Sequence, residues 1–216
     1  SAVTTKEKQA IDPENIYLSH GPRYRIHAEF IRDVVLASSG LLNKEIGGPS
    51  VKPYQPAGLW EGATSGRGLL SVYKQDHGKE LYRRGMYTLI KRTVPPPSMA
   101  IFDASNRDMC EVRRLRTNTP LQALVMMNDP TVLEASKVLA GKLLAENTDV
   151  KDKVTKAFRL IVCRKPTEKE LQVLESYFNK EVNTIADSTV KRVLAVGEAA
   201  VPDDEDKKKL AAMMRV

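Results

Sequence analysis

Between Lys79 and Arg116 the chain sets nine cations against four acids. Seven of the nine are arginine: Arg83, Arg84, Arg92, Arg107, Arg113, Arg114 and Arg116. The acids are Glu80, Asp103, Asp108 and Glu111. A guanidinium presents its donors as a planar fork that matches a carboxylate, sulfate or phosphate two oxygens at a time. Such a density of forks suits an anion-binding site, and equally an internal network of ion pairs. Four acids cannot neutralise nine cations, so a partly exposed cationic patch is expected near Arg83, Arg84, Arg113 and Arg116. Asp103 follows Ile101-Phe102 and stands among these arginines, so it is expected to pair with Arg92, Arg107, Arg113 or Arg114. Pairing with arginine lowers a carboxyl pKa, which suits a structural partner or an orienting group and unsuits a general acid. No residue is assigned a catalytic role on this basis.

Other chemistries find little support. His20, His27 and His77 show no metal-ligand spacing, and no metal site is expected. Neither a nucleophile elbow nor a Walker loop appears, and Gly66 and Gly68 are too sparse to cradle a phosphate. Cys110 and Cys163 could form one disulfide or stand as two free buried thiols. No Cys-x-x-Cys-His motif attaches a haem, so no cofactor is expected in this stretch of chain. The net charge of +7 raises nucleic-acid binding, but most of the excess lies in the one arginine-rich stretch. No apolar run approaches the roughly 18 residues that a membrane span needs, so no transmembrane segment is expected.

The elements that must position these residues read as mainly α, an irregular multi-helix domain with a long Gly/Pro-rich ordered insert. Ile26, Phe30, Val34 and Leu41 recur near helical spacing and predict a helix over 24–43, with Arg32 and Asp33 facing outward. The insert, at about 44–77, holds "EIGGPSVKPYQPAGLWEGATSGRG", which is expected to hold no regular helix. Its lone Trp60 is expected to anchor it to the core. A second helix is predicted over 78–93, with Leu81 and Leu89 inward, stopped by an extended Pro95-Pro96-Pro97. Ser105 and Asp108 have the spacing to cap a short helix through Cys110. Thr119-Pro120-Leu121-Gln122 combines a capping box with a proline at the first helical position, and Asp129-Pro130 repeats the device. Two helices should follow, with Leu121, Leu124 and Val125 in the core. Asp149 caps a helix striped by Val154, Phe158 and Ile161, and Thr167 with Glu170 opens another striped by Leu171, Leu174 and Phe178. Residues 184–196 should be helical, and a last helix is expected to begin at Asp203. Residues 1–182 are therefore expected to form the helical domain and 183–216 a C-terminal helical extension cut short at Val216.

Three stretches carry a resemblance. "LYRRGMYTLIKRTVPPPSMAIFDASNRDMCEVRRLRTNTPLQALVMMNDP" resembles the C-terminal module of large planctomycete-type proteins, the family catalogued as domain of unknown function fifteen fifty-three. "GPRYRIHAEFIRDVVLASSGLLNKEIGGPSVKPYQPAGLWE" looks like its start, and "AFRLIVCRKPTEKELQVLESYF" like its end, so the likeness runs from about Asp12 to Lys180. Cys163-Arg164 departs from the Gly-Arg expected there. The resemblance implies a setting rather than a reaction. Such proteins are exported, to the periplasm or cell envelope, and carry a sister module upstream and often a cytochrome-c-like domain. Any haem c would then sit in the parent protein, outside this stretch.

The expected function is a non-catalytic interaction or scaffold domain of an exported multidomain bacterial protein. It would dock against upstream modules of the same polypeptide or bind an anionic polysaccharide. The alternatives are an enzyme acting on anionic polysaccharide through Asp103 and its neighbouring arginines, and a nucleic-acid binder.

Overall fold

The computed structural model describes residues 4–21, 24–64, 67–68, 70–105, 107–200 and 206–216. Ten α-helices are present among them. In chain order they are α1 Lys6–Ile11, α2 Ala28–Ser39, α3 Leu59–Thr64, α4 Pro97–Ala100, α5 Pro120–Asn128, α6 Pro130–Leu144, α7 Val150–Val162, α8 Glu168–Thr184, α9 Asp187–Leu194 and α10 Lys207–Arg215. Helix α6 lies at the centre and packs against α2, α5, α7 and α10.

The capping chemistry in the sequence sets most helix starts. Asp129 accepts the Thr131 amide at 2.9 Å, which satisfies one of the donors that every helix start leaves without a partner. Asp149 does the same for Asp152 at 2.7 Å. Thr167 and Glu170 close a full capping box. The Arg164 guanidinium, with the Thr167 amide and hydroxyl, holds the Glu170 carboxyl down to about 2. At α5 the Gln122 side chain accepts the Thr119 amide at 3.3 Å. The last helix starts at Lys207 with Asp206 as its cap. The expected start at Asp203 lies outside the described residues, as does Gly66.

Two apolar clusters hold the helices together. In one, Ala140 of α6 meets Phe178 of α8, Val190 and Leu194 of α9, and Leu210 to Met213 of α10. The C-terminal helices thus share a core with α6 and α8. In the other, Ala28 of α2 meets Met99 and Phe102, with Val125 and Met126 of α5 packed alongside.

Between α2 and α4 the chain is mostly irregular. It carries α3 inside the insert, contrary to the expectation of no helix there, because Leu59 and Trp60 give a six-residue turn an apolar side to bury. Trp60 is 1% exposed, meets Tyr73 edge-on at 4.9 Å and lies under the Lys91 ammonium, so it anchors the insert. The helix expected over 78–93 does not form. Two short 3-10 turns, Gly78–Tyr82 and Gly85–Tyr87, are separated by extended backbone. Bridges parallel to the insert join Asn43 to Arg83 and Val51 to Thr88. Across the end of the first turn and the Arg83-Arg84 link, Leu81, Arg83 and Gly85 are buried while Tyr82 and Arg84 stay half-buried. Gly85 is required by close approach, since a Cβ there would stand 2.6 Å from the Glu29 carbonyl oxygen of α2.

Further expectations need correction. Pro97 opens α4 rather than continuing an extended run, since proline at a first helical position loses no bonded amide. No helix forms among the described residues of 105–110; Ser105 instead accepts the Arg107 amide in a local turn at 3.2 Å. Leu121 and Leu124 are 51% and 53% exposed, and α5 buries Gln122 in their place. Ile161 is likewise 53% exposed. On α2, Phe30 and Val34 face outward while Arg32 and Asp33 turn inward, the reverse of the expected orientation. Both cysteines are free, and both are exposed rather than buried.

Cys163 ends α7 in the left-handed region at φ 58°, ψ 24°. This is where the resemblance leads one to expect glycine, and it shows why: an L side chain there costs about 1–2 kcal/mol that glycine avoids. Cys163→Gly should therefore raise stability by about 1 kcal/mol, read as a higher urea midpoint at unchanged slope. An unchanged or lower midpoint would contradict the assignment of this cap.

Candidate functional site

The arginine-rich stretch does not converge on one site. Arg83 is 2% exposed and lies in the interior, not in a surface patch. It donates to the Pro49 carbonyl at 3.0 Å and to the Gly47 carbonyl, and its guanidinium stacks 3.9 Å above the Tyr87 ring. Arg84 donates to Asp33 of α2 at 3.2 Å. Arg114 holds Glu29, also on α2, with contacts of 2.8 and 3.0 Å. Arg116 stacks 4.4 Å above Tyr24. Arg92, Arg107 and Arg113 are exposed and make no ion pair among the described residues.

Asp103 is paired with an arginine, but with Arg25, a residue 78 positions upstream, rather than with any of its sequence neighbours. It also accepts the Thr117 amide at 2.8 Å and the Thr117 hydroxyl at 3.0 Å. Its backbone takes a left-handed φ of 56°. Burial works to raise this carboxyl, but the Thr117 amide, the Arg25 guanidinium and the Thr117 hydroxyl outweigh it and hold the pKa below the usual carboxylate range. Gln122 completes the group by donating to the Ile101 carbonyl at 2.9 Å and to Thr117 at 3.1 Å. Asp103 thus ties Thr117 to Arg25, three residues before α2.

A second polar group went unnoticed in the sequence. Glu134 of α6 is 1% exposed, accepts the Tyr82 hydroxyl at 2.9 Å and accepts the Ala199 amide at 2.7 Å. Burial, then the Glu134 carboxylate, pushes the Tyr54 and Tyr82 phenols above the usual range. One turn along, Lys137 is 2% exposed and donates to the Leu194 and Val196 carbonyls at 3.2 and 2.7 Å. Burial draws its ammonium below the ordinary lysine range, against the pull of Glu134. Gly197 must be glycine here, since a Cβ would lie 2.4 Å from the Glu134 carboxyl carbon. On the surface beside this group, Glu198 accepts from His77 at 2.5 Å and from the Gly78 amide at 2.9 Å. Among the described residues, no three His, Cys, Asp or Glu side chains stand close enough to hold a metal ion.

A concavity large enough for a partner lies elsewhere. A cleft of about 930 Å³ opens between α6, α7, α8, α9 and α10. Leu139 and Leu143 of α6 and Val154 of α7 line it at depth, while Ile161 and Met127 stand at its exposed edge. Its charged lining residues are Arg192 and Arg215. Arg215 donates to Glu181 at 2.6 Å, whereas Arg192 is exposed and makes no ion pair among the described residues. A cleft of this size falls in the range that takes drug-sized ligands or buried partner side chains. The apolar stripe of α7 runs from buried Val154 past Phe158 to Ile161, which lines the cleft and is half exposed.

The model of a family described as a protein of unknown function (PSD1, DUF1553) matches residues 1–178. The match ends at Phe178, the last residue of the third stretch quoted above. No curated protein and no solved structure matches the chain.

The Asp103 contacts carry a pH signature. A carboxyl whose folded pKa is lowered contributes stability that is fully present above its unfolded value of about 3.9 and is lost as pH falls through the folded value. Asp103→Asn should cost about 1–3 kcal/mol at neutral pH, as lost charge-assisted hydrogen bonds do. It should also lose less further stability than the unaltered chain on acidification. Urea unfolding at neutral and acidic pH tests this, and parallel losses in the two proteins would refute it.

Proposed function

The chain belongs to the PSD1 family, and from that premise we propose that it is a non-catalytic interaction or scaffold domain of an exported multidomain bacterial protein. The observation that carries this reading is the apolar cleft between α6 and α10, whose rim leaves large apolar side chains in water. Exposed apolar surface rimmed by polar residues marks a place where another surface docks. The commitments of the polar groups support the same reading. Asp103 is held in its ionised form by Arg25 and Thr117, and Glu134 is enclosed by Tyr82 and the Ala199 amide. Neither is placed to give a proton to a substrate. Export to the periplasm or cell envelope, and the upstream modules as partners, follow from the resemblance and belong to this proposal.

A second reading draws on the exposed guanidinium groups of Arg92, Arg107 and Arg113, which make no ion pair among the described residues. They favour weak binding of a sulfated or carboxylated glycan, lost as salt screens the charges. An enzyme acting on such a polysaccharide through Asp103, and a nucleic-acid binder, rest on less: the first on one engaged carboxylate, the second on net charge.

Crosslinking of the full-length polypeptide, read by mass spectrometry, tests the interaction reading. Lys165 and Lys191, both exposed near the cleft, should crosslink to residues of upstream modules. Incubation with polygalacturonate or heparin should release no new reducing ends. Reducing ends that appear with the unaltered chain and vanish with Asp103→Asn would replace the scaffold reading with the enzyme.

A further inference from the structure

Resting on the interaction reading, we propose that the α6–α10 cleft receives an amphipathic helix of a partner, apolar on the face it inserts and acidic along its flanks. The composition of the lining points to a helix. Met126, Met127, Met213 and Met214 all border the cleft, four of the seven methionines in the chain. Methionine is unbranched and polarisable, and grooves rich in it mould themselves around the varied side chains of an inserted helix. The cleft walls are themselves helices, α5 to α10, and a helix that joins them presents apolar residues spaced at i, i+3, i+4 and i+7.

The rim distinguishes a helix from a small apolar ligand. Ile161, Val162 and Met127 line the cleft and are 53%, 46% and 64% exposed. A ligand that filled only the interior would leave these side chains wet. A rod lying along the groove covers interior and rim together.

Charge sets the flanks. Arg192 and Arg215 are the charged side chains among the described lining residues, and no acid accompanies them there. Arg215 already holds Glu181, which leaves Arg192 at the cleft edge as the group that asks for a carboxylate. An acidic flank would be attracted and a basic one repelled, which selects partners more than it adds affinity.

The probes are two synthetic helices with leucine and methionine at the i, i+3, i+4 and i+7 positions, one flanked by glutamate and the other by lysine. Fluorescence anisotropy against the chain should give a dissociation constant at least about tenfold lower for the glutamate helix. Ile161→Glu sits on the exposed rim, so it should weaken that binding by about tenfold while leaving circular dichroism and thermal unfolding unchanged. Arg192→Glu should abolish or reverse the preference between the two helices. Equal affinity for both helices would overturn the acidic flank. Dodecanoate binding at one site and displacing the helix would make the cleft a lipid site. Self-association abolished by Ile161→Glu would make a second copy of this chain the occupant. If neither helix binds while upstream crosslinks still form, this inference fails and the interaction reading stands.

Discussion

An irregular chain has few backbone partners of its own, and this one recruits cationic side chains in their place, two of them, Arg83 and Lys137, fully buried. Between α2 and α4 there is hardly any ladder to pair carbonyl oxygens with amides, yet burying a carbonyl without a donor costs free energy. Arg32 of α2 reaches the Leu81 carbonyl at 2.5 Å, and Arg83 serves the carbonyls of Pro49 and Gly47. Lys142 serves Ser39, Lys137 serves Leu194 and Val196, and Lys153 serves Leu144. A cation engaged with carbonyl dipoles leans less on a carboxylate, although Arg83 keeps Glu80 within 3.9 Å. That is a structural source of the positive excess, and it makes net charge a weak guide to ligands in this chain. Acids do the complementary work for amides: Asp33 for Gly85, Asp12 for Ile16 and Tyr17, Glu134 for Ala199.

Helices α2 and α6 are the scaffold on which these contacts are mounted. Each turns charged residues inward, Arg32 and Asp33 on one, Glu134 and Lys137 on the other, and the two helices pack against each other. Helix α2 thereby fixes the 78–87 stretch and, through Glu29, the 114 region; α6 fixes the loop after α9. The cleft beside α6 is lined by Leu139, Leu143 and the methionines of α5 and α10, and it reaches Val196, whose carbonyl Lys137 holds.

Helix starts were legible in the sequence wherever capping is local. Thr119, Asp129, Asp149 and Thr167 all stand where their side chains suggest, because a cap involves residues two or three positions apart. The apolar stripe of α8 was legible for the same reason, with Leu171 and Phe178 buried. What failed were inferences about which way a charged residue faces. Arg32, Asp33 and Arg83 look like surface residues to any periodicity argument, and their partners are carbonyls and amides, which every residue carries and no residue type advertises. Asp103 pairs across 78 positions with Arg25, while nearer arginines that seemed its natural partners point to solvent or to α2. The helix expected over 78–93 gives way to 3-10 turns and bridged backbone, where Arg83 is held by carbonyls of the insert and Gly85 lies against α2.

The residues matched by the family end at Phe178, yet Glu134 and Lys137, well inside the match, find backbone partners at Leu194, Val196 and Ala199, beyond it. Two buried charges inside the matched residues therefore depend on backbone that lies beyond them. Relatives with a different tail must either rebuild that loop, with a residue as small as Gly197 beside the carboxylate, or give up the charged pair for apolar residues. Positions 134, 137 and 197 should change together or not at all, so the sequence of one end of a relative ought to reveal how its other end is built.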